Sequence, residues 1–113
     1  MKKLVINILI SMFLLVGIMS SVQAANYNQT AAHVIQSIID DGLMYKRGDA
    51  KYYMSPLGWG ILDYQAKKNL VIYASHHYVY KGGGALRAKV YNSQTGKLLG
   101  ETCVFCSEGV KLY

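Results

Sequence analysis

Leu70-Val71-Ile72-Tyr73-Ala74-Ser75-His76-His77-Tyr78-Val79-Tyr80 is the run on which the fold turns. Its alternate positions form two sets: Leu70, Ile72, Ala74, His76, Tyr78 and Tyr80, and then Val71, Tyr73, Ser75, His77 and Val79. Neither set is plainly polar. A strand apolar on both faces is covered on both, so the pattern predicts the longest and most central strand of a sheet.

Working outward, Gly82-Gly83-Gly84 predicts a turn, and residues 85–91 alternate with Leu86, Ala88 and Val90 inward and Arg87, Lys89 and Tyr91 outward. Asn92-Ser93-Gln94-Thr95-Gly96 closes a hairpin into a strand over 98–105, and residues 110–113 form a short edge strand. On the other side, residues 66–69 read as a turn, 61–65 as a short strand and 56–60 as a loop. Residues 43–45 and 51–54 pair as a hairpin around Arg47-Gly48-Asp49.

Further upstream the period changes. Ala31, Val34, Ile35, Ile38 and Ile39 follow the three-and-four spacing of one helix face, which predicts a helix over 30–41. Thr30 or Asn28 caps its start, and Gly42 ends it in the left-handed conformation. The expected fold is α+β: one N-terminal helix packed on an antiparallel meander sheet of four to six strands.

The first residues have the three parts of a secretory signal peptide: Lys2 and Lys3, an apolar run from Leu4 to Met19, and Val22-Gln23-Ala24. Cleavage is expected after Ala24, leaving 25–113 as a single small domain that is periplasmic or secreted, with no stable membrane anchor. The apolar run is shorter than a membrane-spanning helix needs; the alternative is an uncleaved N-terminal anchor. The short di-lysine start points to a bacterial host.

Of the 113 residues, 12 are Lys or Arg and 6 are Asp or Glu; after residue 24 the balance is +4. All ten tyrosines also lie after residue 24. The charged fraction of 16% and the absence of a low-complexity tract give no support for a coiled coil, an acidic tail or a polybasic arm.

Cys103-Val104-Phe105-Cys106 holds both cysteines. In an exported chain they are expected to pair as a disulfide, which requires a turn, because residues three apart on a strand stand about 10 Å from each other. The alternative is a small thiol-redox or metal-handling protein using this pair. Redox pairs of this spacing open a helix, where the dipole lowers the thiol pKa, whereas here Ser107-Glu108-Gly109 follows.

His76-His77 on a strand would face opposite sides, so one at most could join the cysteines at a metal. No metal ligand set and no cofactor are expected. Nothing marks a nucleophile with a base, and a carboxylate pair such as Asp63 with Glu101 is not singled out by any pattern. No catalytic residue is therefore named, and a non-enzymatic role is favoured.

Lys81-Gly82-Gly83-Gly84 leads into a strand, which is not how phosphate loops are built. Arg47-Gly48-Asp49 reads as a turn before it reads as an adhesion tripeptide. Asn28-Gln29-Thr30, a possible glycosylation sequon, reads as a helix cap.

What remains is surface character. Tyr73, Tyr78, Tyr80, Arg87, Lys89 and Tyr91 are expected to share a basic, tyrosine-rich sheet face that binds a protein or an anionic envelope component, with nucleic acid the least fitting partner. The expected role is an exported non-catalytic binding protein of the bacterial envelope, such as an inhibitor or immunity-type protein. Oligomeric state is not legible in the sequence.

Overall fold

A computed structural model describes residues 27–113. The expected signal peptide and its cleavage point lie outside the described residues. In chain order the elements are α1 (Gln29–Asp40), β1 (Met44–Lys46), β2 (Lys51–Met54), α2 (Pro56–Gly60), α3 (Tyr64–Tyr80), β3 (Lys89–Asn92), β4 (Leu98–Thr102) and β5 (Val110–Leu112). Among the described residues the fold is α+β, with three helices and a five-stranded, mostly antiparallel sheet ordered β1-β2-β3-β4-β5.

α1 forms where the periodicity places it. The side chain of Asn28 accepts the Ala31 N–H at 3.0 Å and caps the first turn. Ala31, Ala32, Ile35 and Ile38 are buried, and Gly42 leaves the helix at φ 81°.

The central expectation is corrected: residues 70–80 are not a strand but the last three turns of α3. The helix starts six residues earlier, where the Asp63 side chain accepts the Ala66 N–H at 2.8 Å. Gln65-Ala66-Lys67-Lys68 supplies good helix formers. Residues 66, 68–71 and 73–78 are all buried, because α1 lies against one side of α3 and the sheet against another. Such a helix has no solvent stripe, so the 3.6-residue period is erased from its sequence.

The expected short strand over 61–65 and turn over 66–69 belong instead to the approach to α3 and its first turns. Residues 56–60 form the short helix α2, with Pro56 in its first turn and the Ser55 side chain capping Gly58.

Replacing a strand by a helix changes the topology. β2 and β3 pair in parallel, Lys51 opposite Lys89 and Met54 opposite Asn92, so the sheet is mixed and not a pure meander. A parallel pair needs a crossover, which α2 and α3 provide. α1 opens the described chain, but α3 is the helix that lies across β3, β4 and β5.

Close approach is possible because β4 carries Gly100. A Cβ there would come within 2.8 Å of Leu112 and 3.0 Å of Val71. The core between helices and sheet contains Ile35, Ile38, Met44, Tyr52, Met54, Leu70, Val71, Tyr73 and Val90.

Candidate binding face of the sheet

α1 and α3 pack against the sheet, and the burial pattern of its strands separates a covered side from an open one. On β2 the alternation is plain: Tyr52 and Met54 are fully buried, whereas Lys51 is exposed and Tyr53 half-buried. Register carries this outward set across the strands. Tyr45 lies opposite Tyr53, and Tyr53 opposite Tyr91.

Their rings stack in sequence, 5.2 Å between Tyr45 and Tyr53 and 5.1 Å between Tyr53 and Tyr91, with interplanar angles of 10° and 21°. The spacing follows from the roughly 4.8 Å between neighbouring strands. Three phenols thus stand side by side on the open face, each ring supported by its neighbour.

A second row runs parallel to the first, about 7 Å along the strands. Lys51 faces Lys89, Lys89 faces Glu101, and Glu101 faces Lys111. Arg47 extends the row through its N–H to the Lys51 carbonyl, 3.0 Å. Among the described residues the two ion pairs are Lys68 with Glu108 and Arg87 with Asp49, so no cation of this row forms a close ion pair, and Glu101 is the row's one carboxylate. Like charges directly opposite destabilise a sheet. Glu101 itself accepts from the Tyr113 hydroxyl.

The six residues expected to share one face are divided. Lys89 and Tyr91 lie on the open face of β3. Tyr73 and Tyr78, expected on a strand, are on α3 and buried. Tyr80 is on the last turn of the same helix, partly exposed, with its ring 5.3 Å from His33 in an edge contact. Arg87 lies in the loop before β3, where it pairs with Asp49, donates to the Tyr78 hydroxyl at 3.1 Å and sits 5.1 Å from that ring.

The Tyr78 hydroxyl donates to Asp49 at 2.5 Å. This bond, followed by that of Arg87, holds the Asp49 carboxyl below its ordinary range. Asp49 of Arg47-Gly48-Asp49 is therefore engaged within the molecule. Tyr45, Tyr53, Lys51 and Arg47 are the residues that sequence reasoning missed. Alternation within the hairpin was the available signal, but only the parallel pairing of β2 with β3 joins them to Lys89 and Tyr91.

Both buried histidines are hydrogen-bonded within the molecule, whereas Asn69 Nδ2 and Asp41 Oδ2 are buried with no hydrogen-bond partner among the described residues. His77 Nδ1 accepts from the Tyr52 hydroxyl at 2.8 Å, while its Nε2–H donates to Gln36 Oε1 at 2.8 Å. The Gln36 amide in turn donates to Asp40 at 2.9 Å. Burial, then the charges of Lys81 and Lys46, lower the His77 pKa to about 4. Burial likewise lowers that of His76, whose Nδ1 accepts the Asn28 N–H at 2.8 Å. The same desolvation raises the pKa of Tyr52 and Tyr73.

Both histidines are fully buried on a helix and do not stand on opposite faces of a strand. Their side chains leave neighbouring helix positions toward different partners. Among the described residues, no group of three or more His, Cys, Asp or Glu side chains could hold a metal ion.

Cys103 and Cys106 are disulfide-bonded across a turn, with Cα atoms 5.4 Å apart. β4 ends at Thr102, immediately before the pair, as the reach of the bond requires. The strand expected over 98–105 is correspondingly shorter. The pair lies between two strands and does not open a helix. No helix among the described residues is long and apolar enough to cross a membrane. No family model, curated protein or solved structure matches the chain.

Proposed function

We propose that the chain is an exported, non-catalytic binding protein of the bacterial envelope that docks a macromolecular partner on the open face of its sheet. An inhibitor or immunity-type role, in which this face covers the working surface of another protein, is the form that fits a domain of this size. The observation that carries the reading is the pair of rows on that face: Tyr45, Tyr53 and Tyr91 beside Arg47, Lys51 and Lys89.

Tyrosine and arginine supply large contact area with one polar end, and are enriched where proteins bind proteins. Arg47, Lys51 and Lys89 outnumber Glu101, the one carboxylate of their row, and so favour an acidic surface on the other side, which reduces their mutual repulsion. The disulfide is read as structural within this proposal, since it closes the turn on which β4 and β5 hinge.

The test is capture from envelope extract by the wild-type protein and by two variants, Tyr53→Ala/Tyr91→Ala and Lys51→Glu/Lys89→Glu. A partner retained by the wild type should be lost by both variants, and its retention should weaken with salt. Because the altered side chains face solvent, the variants should keep the wild-type circular dichroism spectrum. Equal capture by all three proteins would refute the assignment of the face.

A further inference from the structure

The connection between β4 and β5 has at its apex Val104-Phe105, inside the ring closed by Cys103 and Cys106. Val104 is 92% exposed and Phe105 99%, the highest values among the large apolar side chains described. A domain this small has little apolar surface to spare, so two adjacent side chains left wholly in water call for a reason.

The apex is tied down from both ends. Cys103 N–H donates to the Gly109 carbonyl at 2.8 Å, and Gly109 N–H to the Cys106 carbonyl at 3.0 Å. Glu108, in the same loop, pairs with the buried Lys68 of α3. Little ordering is therefore left to accompany binding.

The charge around the apex is also uneven. Glu108 pairs with Lys68, which leaves two lysines, Lys89 and Lys111, on either side of the single carboxylate Glu101, itself an acceptor from Tyr113. Lys111 stands one residue pair from the root of the loop, and Lys89 is opposite Glu101. Neither lysine has an ion-pair partner among the described residues.

We propose that the Val104-Phe105 apex is a membrane-contacting loop, which enters the headgroup boundary of an anionic bilayer while Lys89 and Lys111 lie against the lipid phosphates. An apolar tip beside an excess of cations is the combination that holds a protein at such an interface. This inference does not rest on the proposed protein partner of the sheet face, although Lys89 belongs to both surfaces.

The test is co-sedimentation of the exported protein with vesicles of phosphatidylcholine alone and of roughly two parts phosphatidylcholine to one part phosphatidylglycerol. Binding should require phosphatidylglycerol and weaken with salt. Val104→Ser/Phe105→Ser should bind at least about tenfold less, with an unchanged circular dichroism spectrum. Phe105→Trp should shift its emission to the blue on adding the mixed vesicles.

Tyr53→Ala/Tyr91→Ala should leave vesicle binding intact, and Val104→Ser/Phe105→Ser should leave partner capture intact, so the two proposals fail separately. Absence of co-sedimentation by the wild type, or equal binding by the serine variant, would overturn the inference. Loss of a captured protein in the serine variant, with no vesicle binding by the wild type, would replace the bilayer with a protein pocket.

Discussion

Tyr52 and Tyr53 are neighbours on β2, yet they occupy different solvents. Tyr52 is fully buried beneath the helices, where its hydroxyl donates to His77 at 2.8 Å. Tyr53 faces out, with a phenol stacked on either side. The same side chain specifies the core on one face and, on the proposed function, provides contact area on the other. What separates the roles is the covering by α1 and α3, which makes a lost hydrogen bond expensive on one face and cheap on the other.

The sharpest way to break this comparison is to remove the two rings in turn. Tyr52→Ala should cost about 3–5 kcal/mol of stability, since it leaves a cavity and strands His77. Tyr53→Ala should cost less than about 1 kcal/mol, the scale of a cross-strand pair. Urea denaturation of both variants checks the difference; similar losses would mean that the two faces are not distinct.

Next in size is the pH response of the covered face. Burial holds His77 at about 4 in the folded chain, against roughly 6.5 when unfolded. Between these values the unfolded chain binds more protons, so stability is complete above about pH 6.5 and falls as the pH drops toward 4. The loss is on the order of 3 kcal/mol. Denaturation midpoints at several pH values should show it, and His77→Gln should remove much of the slope. Tyr53→Ala should leave the slope unchanged.

Smaller again is the effect of the disulfide. Cys103→Ser/Cys106→Ser closes no four-residue ring in the unfolded chain and should cost about 2 kcal/mol or less. Thermal unfolding should remain cooperative. The smallest expected effect is that of Lys51→Glu, which places opposite charges across from each other on β2 and β3. Its stability should rise by a few tenths of a kcal/mol, while partner capture weakens.

These expectations also mark what the residues themselves disclosed. α1 was legible because one of its faces meets water and keeps the spacing of Ala31, Ile35 and Ile38. The hairpin of β1 and β2 was legible through its alternation, and the turn at the cysteines through the reach of a disulfide.

α3 was hidden because it is covered on nearly all sides, and its tyrosines and β-branched residues suit a strand as well as a buried helix. Length was the signal at hand. Eleven residues is long for a strand in so small a sheet, and Asp63 followed by Gln65-Ala66-Lys67-Lys68 is a helix start.

That single exchange of helix for strand decided how the candidate face was composed. A strand over 70–80 would have put Tyr78 and Tyr80 in the sheet. The helix removes them and brings β2 beside β3, so Tyr91 gains Tyr53 and Tyr45 as neighbours. Long-range pairing of this kind leaves no mark in local periodicity, which is why Lys51 and Lys89 could not be joined from sequence alone.

The most direct test of the account is tyrosine modification by tetranitromethane, mapped by mass spectrometry on the protein alone and in envelope extract. Tyr45, Tyr53 and Tyr91 should react in the free protein and be protected in extract, while Tyr52 and Tyr73 stay unmodified in both. Equal modification of the three outward tyrosines with and without extract, or reaction of Tyr52 in the folded protein, would contradict the division of the sheet into a covered face and a binding face.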